Sequence, residues 1–281
     1  MSHYTVAVFT KDGGKSVEEL LAPYDEGLSV APYIKKTKAQ LIEDKKEDMK
    51  WYAEKGCYAK YLENPEKYKE EHGEKTDHVN YVENIFPKLL KANDKELWED
   101  IKSSYGHRDD NEDCYGLDDE GNLWSTYNPN SKWDWYTTGG RWAGQLKLKN
   151  GECVNEAYVN ELDLAPNKDV YEHAYRFWKI YIDGEEPTVE EKESLKHEFW
   201  KPEYYASKYE NAEDYANDQA SFRPYATLLP NGIWVEPGQM GWFGCANTTK
   251  ESEIEYRKRF KEIMKQAIDE DWYITLVDCH I

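Results

Sequence analysis

The two ends of the chain constrain its fold most. Tyr4 to Phe9 (YTVAVF) is a short apolar run rich in β-branched and aromatic residues, closed by the turn Lys11-Asp12-Gly13-Gly14. Tyr273 to Ile281 alternates as a strand does. Strands at opposite ends of a 281-residue chain are expected side by side in one sheet, with the rest of the chain inserted between them. The expected class is therefore α+β: an antiparallel sheet with a ferredoxin-like core joining the N- and C-terminal strands, helical insertions and β-hairpins.

Between the ends, local signals place the elements. Ser16 can cap a short helix through Val17, Leu20 and Leu21, closed by Pro23 and Gly27, after which Leu28 to Ile34 reads as a second strand. Thr37 to Leu62 reads as a solvated helix and Asn64 to Lys75 as a mobile polar connection. Helices are then expected over Val79, Val82, Ile85, Phe86 and Leu89, ended or kinked by Pro87, and over Leu97, Trp98, Ile101 and Tyr105 behind an Asn93-Asp94 cap. Residues 36–105 thus form a charged helical insertion within a single domain spanning 1–281. Past Gly106 the turns Glu120-Gly121-Asn122, Asn150-Gly151 and Asn231-Gly232 announce hairpins, so 106–165 and 221–281 read as a β-rich core. Helices return over Val170 to Tyr181, after Thr188-Val-Glu-Glu191, through Glu203 to Gln219, and behind Thr248-Thr-Lys-Glu251 with Tyr256, Phe260, Ile263, Met264 and Ala267 on one stripe.

The share of apolar residues, 39%, is low and that of charged residues, 33%, is high. The 11 Trp and 23 Tyr nevertheless argue for a folded chain whose core is built of rings more than aliphatics. A net charge of −20, split as −10 on each side of residue 130, opposes direct binding of nucleic acid and leaves no detachable acidic tail. Five cysteines without a CxxC pair read as free thiols in a reducing compartment, and no apolar run reaches membrane-spanning length. The expectation is a cytoplasmic protein with no membrane partner.

The densest chemistry is Trp133-Asp134-Trp135-Tyr136-Thr137-Thr138-Gly139-Gly140-Arg141-Trp142. Its rings can stack on a base or sugar, Arg141 can fork onto a phosphate or carboxylate, and Gly139 and Gly140 can let backbone approach a ligand. Trp242, in Gly238-Gln-Met240-Gly241-Trp242-Phe243-Gly244, is expected to complete the wall. The alternative is a bulged strand whose rings fill the core while Asp134 and Arg141 pair. At the C-terminus, alternation puts Asp278 and His280 on one face as a proton-transfer pair or two metal ligands. A metal would need a third ligand from among His107, Asp134 and Glu236, and no metal site is assigned. The alternative there is a polar pair that satisfies buried backbone or Arg141. Asp109, Asn111, Asp113 and Glu120 fall on calcium-loop positions, but Cys114 stands where such a loop needs glycine, which argues against an EF-hand.

The VAVFT strand with LLAPYDE (Leu20 to Glu26), the WDWYTTGGRW block, GQMGWFG and the terminal VDCHI together resemble a family of uncharacterised phage, prophage and bacterial proteins with no established activity. The resemblance covers about a quarter of the chain and implies an accessory protein of a mobile element, of a kind that acts on the host and its defences. Three functions are open. The first is capture of a small anionic or nucleotide-like ligand by the aromatic and Arg141 pocket, to counter host defence. The second is an acidic mimic of nucleic acid that occupies a basic channel of a host protein. The third is an enzyme on a nucleotide or phosphate substrate with Asp278 and His280 as catalytic groups. No cofactor is specified.

Overall fold

The computed structural model describes residues 2–107, 115–195, 200–241 and 244–281. They form an α+β structure divided into two compact units, one of residues 1–28 with 128–281 and the other of residues 29–127.

In the first unit, the terminal strands His3–Thr10 and Tyr273–His280 pair antiparallel along their whole length, from His3 opposite His280 to Thr10 opposite Tyr273. This is the pairing that the two end segments predict. Ala226–Leu228 flanks the first strand in parallel and continues through the Asn231-Gly232 hairpin to Trp234–Val235. On its other side, the last strand pairs with Trp135–Thr138 and Glu156–Tyr158. The sheet is therefore mixed where an antiparallel one is expected. A ferredoxin-like connection is not established by these pairings.

Alternation distributes the two central strands between two cores. Ala7, Phe9, Ile274 and Leu276 pack beneath Phe260, Ile263, Met264 and Ala267 of the helix Lys250–Asp269. Val6, Val8, Val277 and Cys279 point the other way, toward Leu20, Leu21, Trp133 and Met240. Both faces are covered, which is why the strands read as nearly continuous apolar runs. The helix Val17–Leu21 carries the Ser16–Glu19 capping box. The long helix starts one residue later than its sequence suggests: Thr249 and Ser252 form the box, while the Thr248 hydroxyl accepts from Lys208.

The second unit carries helices Lys38–Glu54, Cys57–Glu63, Pro65–His72 and Asp94–Ser103, with a three-stranded sheet in the order Tyr33–Lys36, Leu123–Ser125, Gly116–Leu117. The second strand thus begins later than Leu28. The polar stretch expected to be a mobile connection is the helix Pro65–His72, capped by Asn64 and anchored by the buried ring of Tyr68. Pro87 does not end its helix. The chain stays helical from Asp77 to Leu89 by widening into a π turn at Tyr81–Ile85, where Phe86 N–H donates to the Tyr81 carbonyl just ahead of the ring that has no N–H to give. The hairpin at Gly121, expected in the β-rich core, belongs with this unit because its strands pair with Tyr33–Lys36. Positions 109 to 114 of the calcium-like loop lie outside the described residues.

Candidate functional site

The paired register brings titratable groups together where the first strand begins and the last one ends. His3 stands opposite His280, and Thr5 opposite Asp278. Across the last strand, Trp135 stands opposite His280 and Thr137 opposite Asp278. Directly opposed residues share a face, so His3, Asp278, His280 and Trp135 lie on one side of the sheet.

The polar groups pair differently from the Asp278–His280 couple that their spacing suggests. His3 Nδ1 lies 2.9 Å from Asp278 Oδ1, and His280 Nδ1 lies 2.7 Å from Asp134 Oδ1. Asp278 is almost sealed, at 2% exposure, and its second oxygen accepts the Arg141 backbone N–H at 3.0 Å. The Asp134 backbone N–H in turn donates to the His280 carbonyl at 3.0 Å. The expected Asp134–Arg141 pair is thus replaced by two Asp–His pairs, because Arg141 presents its backbone to Asp278 and not its guanidinium. That guanidinium is exposed and has no hydrogen-bond or ion-pair partner among the described residues.

Each carboxylate fixes one ring nitrogen and leaves the other available. Neither Nε2 has a partner among the described residues, and neither is wholly sealed, although the side chains are only 11% exposed at His3 and 7% at His280. Trp135 completes the group. Its ring is 45% exposed, stacks on His280 with centroids 5.0 Å apart and meets the edge of His3 at 5.2 Å. The two imidazoles meet edge to face at 4.9 Å.

Trp133 and Tyr136 of the expected wall do not join Trp135. Trp133 is buried in the opposite core, where its Nε1–H donates to the Leu21 carbonyl at 3.3 Å, and Tyr136 packs edge-on against it at 5.0 Å. Trp142 is half-buried in the 3-10 turn Gly140–Trp142. Trp242 lies outside the described residues.

The glycine pair serves the protein's own side chains. Both residues have positive φ, 72° at Gly139 and 51° at Gly140. A Cβ on Gly140 would fall 2.4 Å from Asp278 Cβ and Oδ2, and one on Gly139 would fall 2.6 Å from Asn155 Nδ2. Close backbone approach is what the pair provides, and its object is Asp278 and Asn155.

Of the remaining candidates, Glu236 is taken by Lys132 at 2.6 Å and by Trp234 Nε1 at 2.8 Å, while His107 bridges Leu117 in the other unit. Among the described residues, no three His, Cys, Asp or Glu side chains are arranged to hold a metal ion. His3 is the group that sequence reasoning missed. Its signal was available: counting back from Phe9 and forward to His280 in an antiparallel register sets the two histidines face to face.

Cys279 points away from the site into the opposite core, and burial, with a smaller contribution from the Asp278 charge, pushes its thiol far up. It is expected to resist iodoacetamide in the native protein, whereas the exposed Cys153 and Cys245 are alkylated. Peptide mass spectrometry before and after unfolding checks this, and native labelling of Cys279 would contradict the placement.

No known protein family, curated protein or solved structure matches this chain.

Proposed function

We propose that the face built by His3, His280, Trp135 and Arg141 binds a small anionic, nucleotide-like ligand. The observation that carries this reading is the pair of carboxylate-oriented imidazoles, each with an unpartnered Nε2 among the described residues, beside a half-exposed tryptophan. A base or other flat group stacks on the free part of Trp135, the anion takes the unpaired Arg141 guanidinium, and each Nε2, an acceptor while its Nδ1–H faces a carboxylate, takes a ligand hydroxyl or amine. In the mobile-element setting implied by the resemblance, such capture removes a nucleotide signal raised by the host. The reading as an acidic mimic rests on charge alone, and that charge is evenly spread.

Equilibrium dialysis against mono-, di- and cyclic nucleotides tests the proposal. Trp135→Ala is expected to weaken binding by about ten- to a hundredfold, the value of one stacked base. Arg141→Ala is expected to weaken nucleotides strongly and the uncharged nucleosides little. If no nucleotide binds at millimolar concentration, the proposal is wrong.

The two imidazoles also favour a second reading, acid–base chemistry on the same ligand, because one ring can accept a proton while its neighbour donates one. In that case prolonged incubation converts the bound nucleotide. His280→Ala then stops turnover while base stacking persists, and unchanged nucleotide after incubation with the intact protein rules it out.

A further inference from the structure

The helix Lys250–Asp269 carries two neighbouring stripes at i, i+4, i+8 spacing. One is apolar, Phe260, Met264 and Ile268; the other is cationic, Arg257, Lys261 and Lys265. Both line a cleft of about 450 Å³ that shares no lining residue with the His3–His280 group and whose other wall is Leu164, Pro166 and Phe222. That volume falls in the range of small-molecule sites. Leu164 and Ile268 are 41% and 40% exposed, so apolar surface continues to the rim.

Charge gives the cleft its second property. Three acids line it and each already has a cation: Asp163 has Lys147 at 2.9 Å, Asp214 has Arg257 at 2.8 Å, and Asp218 has Arg223 at 2.6 Å. Lys261 and Lys265 have neither an ion-pair nor a hydrogen-bond partner among the described residues. Two unneutralised lysines along an apolar trench, in a chain of net charge −20, call for an anion from outside that also brings apolar surface.

We propose that this cleft binds a single-chain anionic amphiphile. Its tail lies along Phe260, Met264 and Ile268, a stripe about 12 Å long at ~1.5 Å per residue. Its carboxylate is taken by Lys261 and Lys265. Neutral chains of equal length fill the trench but leave the lysines unpaired, and cationic ones are repelled.

Titration calorimetry of the full chain with decanoate, decanol and decyltrimethylammonium tests this. Decanoate is expected to bind at one site, with affinity rising about fourfold per methylene from octanoate upward. Decanol is expected to bind roughly tenfold more weakly and the ammonium not measurably. Lys261→Glu with Lys265→Glu should lower decanoate affinity by at least about tenfold. Ile268→Asp, on the tail path, should do the same, with circular dichroism confirming that each variant is folded. Should the lysine variant fail to fold, Ile268→Asp and the head-group comparison decide. No decanoate binding at millimolar concentration, equal binding of anionic and cationic chains, or indifference to these substitutions overturns the proposal.

Discussion

Asp278→Ala is expected to lower the free energy of unfolding by roughly 3 kcal/mol, although the residue sits three positions from the chain's end. Its carboxylate is sealed and holds two groups at once, His3 Nδ1 through one oxygen and the Arg141 backbone N–H through the other. Truncation leaves both without a partner and opens a void against Gly140, whose backbone can approach only because it carries no Cβ. Asp278→Asn keeps the shape and can still accept the Arg141 N–H, so about 1 kcal/mol is expected. Urea denaturation of the two variants separates these values. Equal stability of Asp278→Ala and the parent would show that the carboxylate is not the tie between the turn at Gly140 and the sheet.

The features legible in the sequence are those whose cause is local. The Ser16, Asn93 and Thr188 caps each depend on a hydrogen bond closed within three residues, and all three form. The hairpins at Gly121, Gly151 and Gly232 each depend on one residue that tolerates positive φ, and all three form. Burial on both faces of the terminal strands also shows in their runs of apolar residues, which is why their pairing could be anticipated.

What stayed hidden depends on register between distant segments. Period two puts Asp278 and His280 on one face, but it does not say that His3 and Asp134, from two other segments, become their partners. The Trp133-Asp134-Trp135-Tyr136 run looks like a single wall. Trp133 precedes the strand, in a lone bridge to Asp25, and so falls into the same core as Tyr136 while Trp135 faces the other way. The parallel neighbour Ala226–Leu228 is three residues long and is held by contacts more than two hundred residues apart in the chain. The helix Pro65–His72 has a single buried ring, Tyr68, too little for an apolar period to show.

The second large effect is expected at Asp218, where one buried carboxylate accepts three hydrogen bonds from two side chains. Arg223 grips it with Nε at 2.6 Å and Nη2 at 2.9 Å, and the Tyr209 hydroxyl donates to it at 2.9 Å. Arg223 also lies over the ring of Tyr256 and within 3.9 Å of Glu253, and Arg257 lies over the ring of Tyr209. Asp218→Ala removes the acid and leaves a largely buried guanidinium and the half-buried phenol of Tyr209 unpaired, a loss of roughly 3–5 kcal/mol. Replacing the pair together, Asp218→Leu with Arg223→Met, is expected to cost less than Asp218→Ala alone, because no charge is then stranded. Acid sensitivity gives an independent check. Burial disfavours the ionised Asp218, but the hydrogen bonds and charge of Arg223 more than offset it and hold the carboxyl below its ordinary value. A carboxyl lowered by folding contributes its full stability above the unfolded value, about 3.9, and loses it as pH falls through the folded one. Urea midpoints measured from pH 6 down to pH 3 should therefore fall more steeply in the parent than in Asp218→Asn. Parallel curves would mean that the Asp218–Arg223 pair is too well solvated to stabilise this end of the helix Lys250–Asp269.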